Sequence, residues 1–202
     1  MYRHVFKRVL DIFLALLALP FFCVFYLILA PMIYATDKGP VFYAAPRLGK
    51  DGKIFQMLKF RSMKVDSPDI RNPDGSTFNG ENDPRVTRIG RVLRKTSLDE
   101  TPQVLNVLRG DMSVVGPRPF LTTHFNGLDK LDEKSRKRLA VRPGITGYSQ
   151  AFFRNSIGMN EKIEKDCYYV DHISFLLDLK ILFRTARSVL KHENVYVKST
   201  EK

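Results

Sequence analysis

The sequence predicts an α+β protein: an N-terminal re-entrant membrane helix, a small β-hairpin, a helical core and amphipathic helices at a membrane surface. Three observations predict it. Residues 12–35, IFLALLALPFFCVFYLILAPMIYA, contain no charged side chain. Residues 41–64, PVFYAAPRLGKDGKIFQMLKFRSM, place apolar and aromatic stretches on either side of Lys50-Asp51-Gly52-Lys53, which is the composition of a hairpin turn between strands. From Thr87 onward apolar residues return at helical spacing, as in 175–191. The 202 residues suffice for one membrane segment and one domain of moderate size, dividing the chain into residues 1–36 and 37–202.

As a continuous helix, residues 12–35 would rise roughly 36 Å, enough to cross a hydrocarbon core of about 30 Å. The run is too long for the apolar part of a signal peptide, and no small-residue cleavage site precedes the next charges. Whether it spans is a separate question. Arg3, Lys7 and Arg8 precede it and the basic remainder of the chain follows it, so the positive-inside rule draws both flanks to the cytoplasm. Pro20 removes a backbone donor and crowds the carbonyl of Leu16, which can bend the helix sharply. A hairpin that dips into one leaflet and returns satisfies both constraints; an ordinary kinked span is the alternative.

Residues 66–84, DSPDIRNPDGSTFNGENDP, have little to bury and predict a long loop of the kind that forms lids and binding loops. VTRIGRVLRKTSLDETPQVLNVLRGD, from residue 86, reads as helix, turn, helix, opened by Thr87 or a neighbour and stopped by Gly110. Ser97-Leu98-Asp99-Glu100 fits the capping box S-x-x-E, while Pro102 fits better if Asp99 is the cap, since it then falls inside the first turn. On local grounds capping is enough to explain both carboxylates. In MSVVGPRPF, residues 112–120, Pro117 and Pro119 stiffen the backbone that presents the Arg118 guanidinium. Such a fork suits phosphate oxygens, although a solvated basic turn reads the same way. VRPGITGYSQ, residues 141–150, is a Pro/Gly loop that either brings backbone amides near an anion or simply connects elements. Over 175–191, Leu176, Leu179, Phe183, Ala186 and Leu190 share one face, and Lys180, Arg184, Arg187 and Lys191 another. Such a helix packs on the core or lies among lipid headgroups.

Lys and Arg outnumber Asp and Glu by 33 to 21, a formal net charge of +12, which favours anionic partners such as phosphates, nucleic acid or acidic lipid. Cys23 and Cys167 have no metal-ligand spacing and point to a reducing compartment. No Walker A, GxGxxG or HExxH motif occurs, and the four histidines lack paired spacing, so the corresponding nucleotide and zinc sites are not supported. A membrane segment, conformationally fixed arginines and a carboxylate at a helix start together point to chemistry on a phosphate at the bilayer surface. A carboxylate can attack a phosphoryl centre when cations offset the repulsion. Mg²⁺, which binds one or two carboxylates together with substrate phosphates, is the expected ion, and Arg94, Lys95 and Arg118 are candidates for the fixed positive charge.

Three stretches, KFRSM at 59–63, DPRVTRIGRVLRKTSLDETPQVLNVLRGDMSVVGPRP at 83–119 and RPGITGYSQ at 142–150, with the basic-then-apolar N-terminus, resemble the monotopic phosphoglycosyl transferases of the bacterial sugar transferase family. The likeness is to short members that begin at the re-entrant helix, including those that start N-linked glycan assembly. The resemblance implies transfer of a sugar 1-phosphate from a UDP-sugar to a polyprenyl (undecaprenyl) phosphate, with UMP released. It further implies Mg²⁺ as cofactor, the cytoplasmic face of the bacterial inner membrane as location, and no nucleic acid partner. Asp99 matches the family's nucleophile, which forms a covalent phosphosugar intermediate. Glu100 matches the second member of the dyad, with metal binding and positioning as its role, so Mg²⁺ is expected on Glu100 and Asp99. Arg118, Arg94 and Lys59 match basic positions that hold phosphates. Many short members carry Ser-Pro at the helix break where this chain has Leu19-Pro20, leaving the break to Pro20 alone. Two rival readings are a membrane-tethered nucleic-acid-binding protein using the helix-turn-helix-like region 87–109, against which its apolar second helix counts, and a non-catalytic membrane-surface adaptor.

Overall fold

The computed structural model describes residues 2–70, 78, 80, 83–122, 131–153 and 156–190. A π turn, Tyr2–Phe6, leads into α1, Lys7–Asp37, whose 31 residues span about 46 Å at 1.5 Å per residue. Among the described residues it is the one helix long and apolar enough to cross a membrane. It runs through Pro20 and also Pro31, so Pro20 does not end it, and any change of direction is a bend within one helix. Asp11, Ala15, Phe22, Leu29 and Ile33 are its buried residues, a single stripe at helical spacing. Phe13, Leu17, Phe21, Leu27 and Ile28 are exposed, an apolar surface that water would penalise.

Both ends of α1 are tied to the rest of the protein by polar contacts. At the start, Arg8 donates to the carbonyls of Val107 (2.8 Å) and Leu108 (3.3 Å), where a cation complements the C-terminal end of a helix. Asp11 accepts from Ser113 Oγ and Val114 N, both at 2.9 Å. Asp178 gathers Tyr2 Oη (2.6 Å), Lys7 Nζ (2.6 Å) and Tyr169 Oη (2.7 Å). At the far end, Arg61 makes a bidentate pair with Asp37, both contacts 2.6 Å, and Val65 N donates to the same carboxylate. Between them Phe22 and Tyr26 stack with Phe42 and Phe60, neighbouring ring centroids lying 5.5–6.5 Å apart. Such pairs add about 0.5–1.5 kcal/mol each beyond burial.

The hairpin forms as predicted. β1, Phe42–Leu48, pairs antiparallel with β2, Ile54–Phe60, in the register Phe42↔Phe60 to Leu48↔Ile54, and the turn carries Asp51 and Gly52 at φ 56° and 75°. β4, Phe120–Leu121, adds a third strand beside β1. The helix-turn-helix region gives α2, Arg88–Thr96, capped by Thr87 Oγ1 accepting from Gly90 N, and α3, Gln103–Arg109, stopped by Gly110 at φ 94°. α3 is buried through Gln103, Val104, Asn106 and Val107, and Asn106 accepts from Leu58 N and donates to Gln56 O, fastening it under β2. β3, Ser113–Val115, pairs in parallel with β5, Gly144–Thr146, which brings the Gly-Pro-Arg-Pro and Arg-Pro-Gly loops together. α4, Glu133–Arg138, α5, Tyr148–Phe152, α6, Met159–Asp171, and α7, Phe175–Leu190, complete the order.

The stripe Leu176, Leu179, Phe183 and Ala186 on α7 faces outward, with Leu176 74% and Phe183 73% exposed. The protein side of α7 is instead Asp178, Ile181 and Ser188, all buried. Lys191, and most of the predicted loop 66–84 (71–77, 79, 81 and 82), lie outside the described residues.

Candidate active site

Asp99 and Glu100 do not cap a helix. Ser97 ends α2 in the left-handed conformation at φ 59° and makes no side-chain cap bond; Leu98–Glu100 then form a single 3-10 turn, and α3 starts only after Pro102. The capping-box expectation fails because a left-handed residue cannot set its hydroxyl over the next turn's amides. A non-glycine residue in this region costs about 1 kcal/mol or more, and here it turns both carboxylates inward.

They face a cavity of about 1460 Å³. Lys59 from β2, Arg94 from α2 and Arg118 from the Gly-Pro-Arg-Pro loop line it with them, so all five site residues read from the sequence converge, whereas Lys95 is exposed and Pro20 lies outside the lining. Lys59 Nζ sits 2.6 Å from Glu100 Oε1 and 3.9 Å from Asp99 Oδ2. Arg118 donates to the same Glu100 oxygen at 3.0 Å, and Arg94 Nε donates to Ser62 Oγ at 3.0 Å. α2 reaches this position because Gly90 lies against Ser62: a Cβ there would stand 1.9 Å from the Ser62 carbonyl oxygen.

The two acids differ sharply. Burial disfavours charge on Glu100, but Lys59 and Arg118 outweigh it and hold the carboxyl below the ordinary range. Burial raises Asp99 above the ordinary aspartate value, with Lys59 opposing and Glu100 adding to the effect. Asp99 is 9% exposed, and no side chain or amide hydrogen-bonds it among the described residues.

Sequence reasoning missed Arg138, Asp166 and Lys162, which also line the cavity. Arg138 donates to Asp166 (2.6 Å) and to the carbonyl of Arg118 (3.0 Å), and its guanidinium lies 3.8 Å from the Phe120 ring centroid. Arg118 is therefore held by a buried cation as well as by its prolines. No local motif marks these residues, which meet only through packing. Apolar side chains line the cavity as well, with Leu14, Ala18, Phe21 and Phe25 from α1 and Val104 and Val107 from α3. Among the described residues no cluster of three or more His, Cys, Asp or Glu could enclose a metal. Asp99 and Glu100 supply the one or two carboxylates that suffice for Mg²⁺ when substrate phosphates complete its shell.

Fold and cavity together define an α+β protein with a carboxylate–cation centre in a cavity that is also lined by a helix long and apolar enough to cross a membrane. Comparison with known sequences makes this specific, because the signature described as "Bacterial sugar transferase" matches residues 2–192. The chain belongs to that family. It is 42% identical over 189 residues to the uncharacterized sugar transferase EpsL of Bacillus subtilis, covering 94% of this chain and 89% of that protein. It is 40% identical over 187 residues to the UDP-N-acetylgalactosamine-undecaprenyl-phosphate N-acetylgalactosaminephosphotransferase of Aeromonas hydrophila, covering 91% of this chain and 43% of that one. Against the UDP-glucose:undecaprenyl-phosphate glucose-1-phosphate transferase of Klebsiella pneumoniae the identity is 41% over 197 residues, covering 95% and 42%. The chain thus spans less than half the length of several relatives and most of the length of others.

Proposed function

We propose that this protein is a phosphoglycosyl transferase that moves a sugar 1-phosphate from a UDP-sugar to polyprenyl (undecaprenyl) phosphate and releases UMP, the first membrane step of glycoconjugate assembly. The relatives named for such transfers support the reaction class. The observation that carries the reading is Asp99: a buried carboxylate inside the cavity, without a hydrogen bond among the described residues, beside two cations that its neighbour Glu100 holds in place.

In this mechanism an Asp99 oxygen attacks the β-phosphorus of the donor. The bond from that phosphorus to the bridging oxygen breaks, UMP leaves with the electron pair, and an aspartyl-phosphosugar remains. An oxygen of the lipid phosphate then attacks the same phosphorus, breaking the acyl-phosphate bond and returning Asp99 as carboxylate. Lys59 and Arg118 keep Glu100 ionised while offsetting the charge of the phosphates, and the raised pKa of Asp99 makes its anion the better nucleophile. Asp99 and Glu100 would hold Mg²⁺, which supplies charge neutralisation at the phosphates when bound. The apolar wall from α1 suits the lipid acceptor's chain.

Membrane association follows the monotopic, re-entrant reading. Both ends of α1 bind one and the same domain through Asp11, Asp178 and Asp37, which supports a path that enters and leaves on the cytoplasmic side. The outward stripe of α7 adds an interfacial contact. The burial of Gln103, Val104, Asn106 and Val107 on α3 counts against the nucleic-acid reading, since a recognition helix must be exposed. UMP release from a UDP-sugar and polyprenyl phosphate tests the activity: the account expects turnover that EDTA abolishes and Mg²⁺ restores, and absence of UMP across a panel of UDP-sugars contradicts it. Topology is tested with Arg3→Cys in a Cys23→Ser, Cys167→Ser background. A membrane-impermeant maleimide should label it only in opened cells, and labelling of intact cells refutes re-entrance.

A further inference from the structure

Lys162 is a cavity cation with no ion pair among the described residues. Lys162 lines the same space as Asp99, Glu100 and Arg118 and is half-buried, yet it makes no hydrogen bond or ion pair among the described residues. The carboxylate one helical turn later, Asp166, shares its face of α6 but is committed to Arg138 at 2.6 Å, with side chains 5% and 1% exposed. Lys59 and Arg118 already share Glu100. Burial first, and then the Arg118 guanidinium, hold the Lys162 ammonium below its ordinary range, with Asp166 only partly compensating. An ammonium half out of water, repelled by a guanidinium and without a hydrogen bond or ion pair among the described residues, is costly, and a phosphate removes the cost.

We propose that Lys162 and Arg118 form a second anion subsite, which receives the α-phosphate of the nucleotide, the group that departs with UMP. This rests on the proposed function and deepens it. Arg118 is common to the two subsites: it donates to Glu100, beside the carboxylate that attacks, and it shares the cavity lining with Lys162. Adjacent phosphates of one diphosphate then bridge the two, with the attacked phosphorus at Asp99 and its neighbour at Lys162. A lipid phosphate carries the same chemistry, so the test separates the two sources.

UDP binding is measured by calorimetry on full-length protein in detergent, in an Asp99→Asn background so that no turnover intervenes. Lys162→Gln should weaken UDP about tenfold, the size of one charge-assisted phosphate contact. Uridine binding should stay unchanged, and Lys162→Arg should recover most of the loss. In protein with Asp99 intact, K162Q should raise the KM for UDP-sugar by a similar factor and leave the KM for polyprenyl phosphate alone. UDP affinity unchanged within twofold in K162Q overturns the proposal, as does a change confined to the lipid KM, which would assign the subsite to the acceptor. Wild-type protein that binds UDP in this Lys162-dependent way but releases no UMP keeps the subsite and refutes the reaction instead.

Discussion

Two buried carboxylates, Asp178 and Asp99, show how this protein separates holding from reacting. Asp178 is 2% exposed and accepts three donors, from Tyr2, Lys7 and Tyr169; its oxygens are occupied and its charge is spent on joining α7, α6 and the start of α1. Asp99 is almost as buried, but its one ion pair among the described residues is Lys59 at 3.9 Å, and the hydrogen bonds that could have satisfied it go to Glu100. A carboxylate saturated with donors is a fastener, whereas one removed from water and left unsaturated stores the energy that a phosphate centre can use.

The comparison breaks first at Asp99. Asp99→Asn should lower turnover by at least about a thousandfold, as loss of a nucleophile does, while the protein keeps its melting temperature because no hydrogen bond among the described residues is lost. A slower decline, or a large fall in Tm, would make Asp99 a structural residue like Asp178. Asp178→Ala should do the reverse: it strands a buried ammonium and two phenols and should cost about 3 kcal/mol in stability, read by thermal unfolding in detergent, with kcat of the folded fraction nearly unchanged. Equal damage to kcat from both substitutions would erase the distinction.

The acids within the site also part company with pH. Because burial raises Asp99 and its anion is the reactive form, activity should fall as pH drops through a value above the ordinary aspartate range of about 4. Glu100, held low by Lys59 and Arg118, stays ionised throughout that window. A log kcat/KM profile flat down to pH 4 would contradict the difference. Smaller in effect, Leu176→Ser with Phe183→Ser should raise the KM for polyprenyl phosphate in vesicles a few-fold through lost interfacial area, leaving donor-only UMP exchange intact. An unchanged lipid KM would deny the outward stripe of α7 a role at the membrane.

Where the sequence was legible, the physics was local. The apolar run to Ala35, the hairpin around Asp51-Gly52, the Thr87 cap and the Gly110 stop all depend on residues within a few positions of one another. Asp99, Glu100, Lys59, Arg94 and Arg118 were legible through the motifs that carry the family resemblance, and the fold brings them together. The capping box fails because S-x-x-E equally fits a left-handed Ser97 followed by a 3-10 turn; the choice is made by the packing of α2 on Ser62 and α3 under β2. The two-strand parallel ladder of β3 and β5, the Arg138–Asp166 pair behind Arg118, and the ties from Asp11 and Asp178 link residues far apart in sequence and leave no periodic trace. The face of α7 turned to the protein is set by Asp178 and Ile181, a minority pattern beneath the more conspicuous apolar stripe that stays outside.

The measurement closest to the central claim is the intact mass of the protein after incubation with UDP-sugar and Mg²⁺ in the absence of lipid acceptor, followed by peptide mapping. The account predicts an added mass equal to one sugar phosphate, located on Asp99, absent from Asp99→Asn and discharged by polyprenyl phosphate. Turnover-competent protein that never carries the adduct, or an adduct that persists in the Asp99→Asn variant, would contradict it.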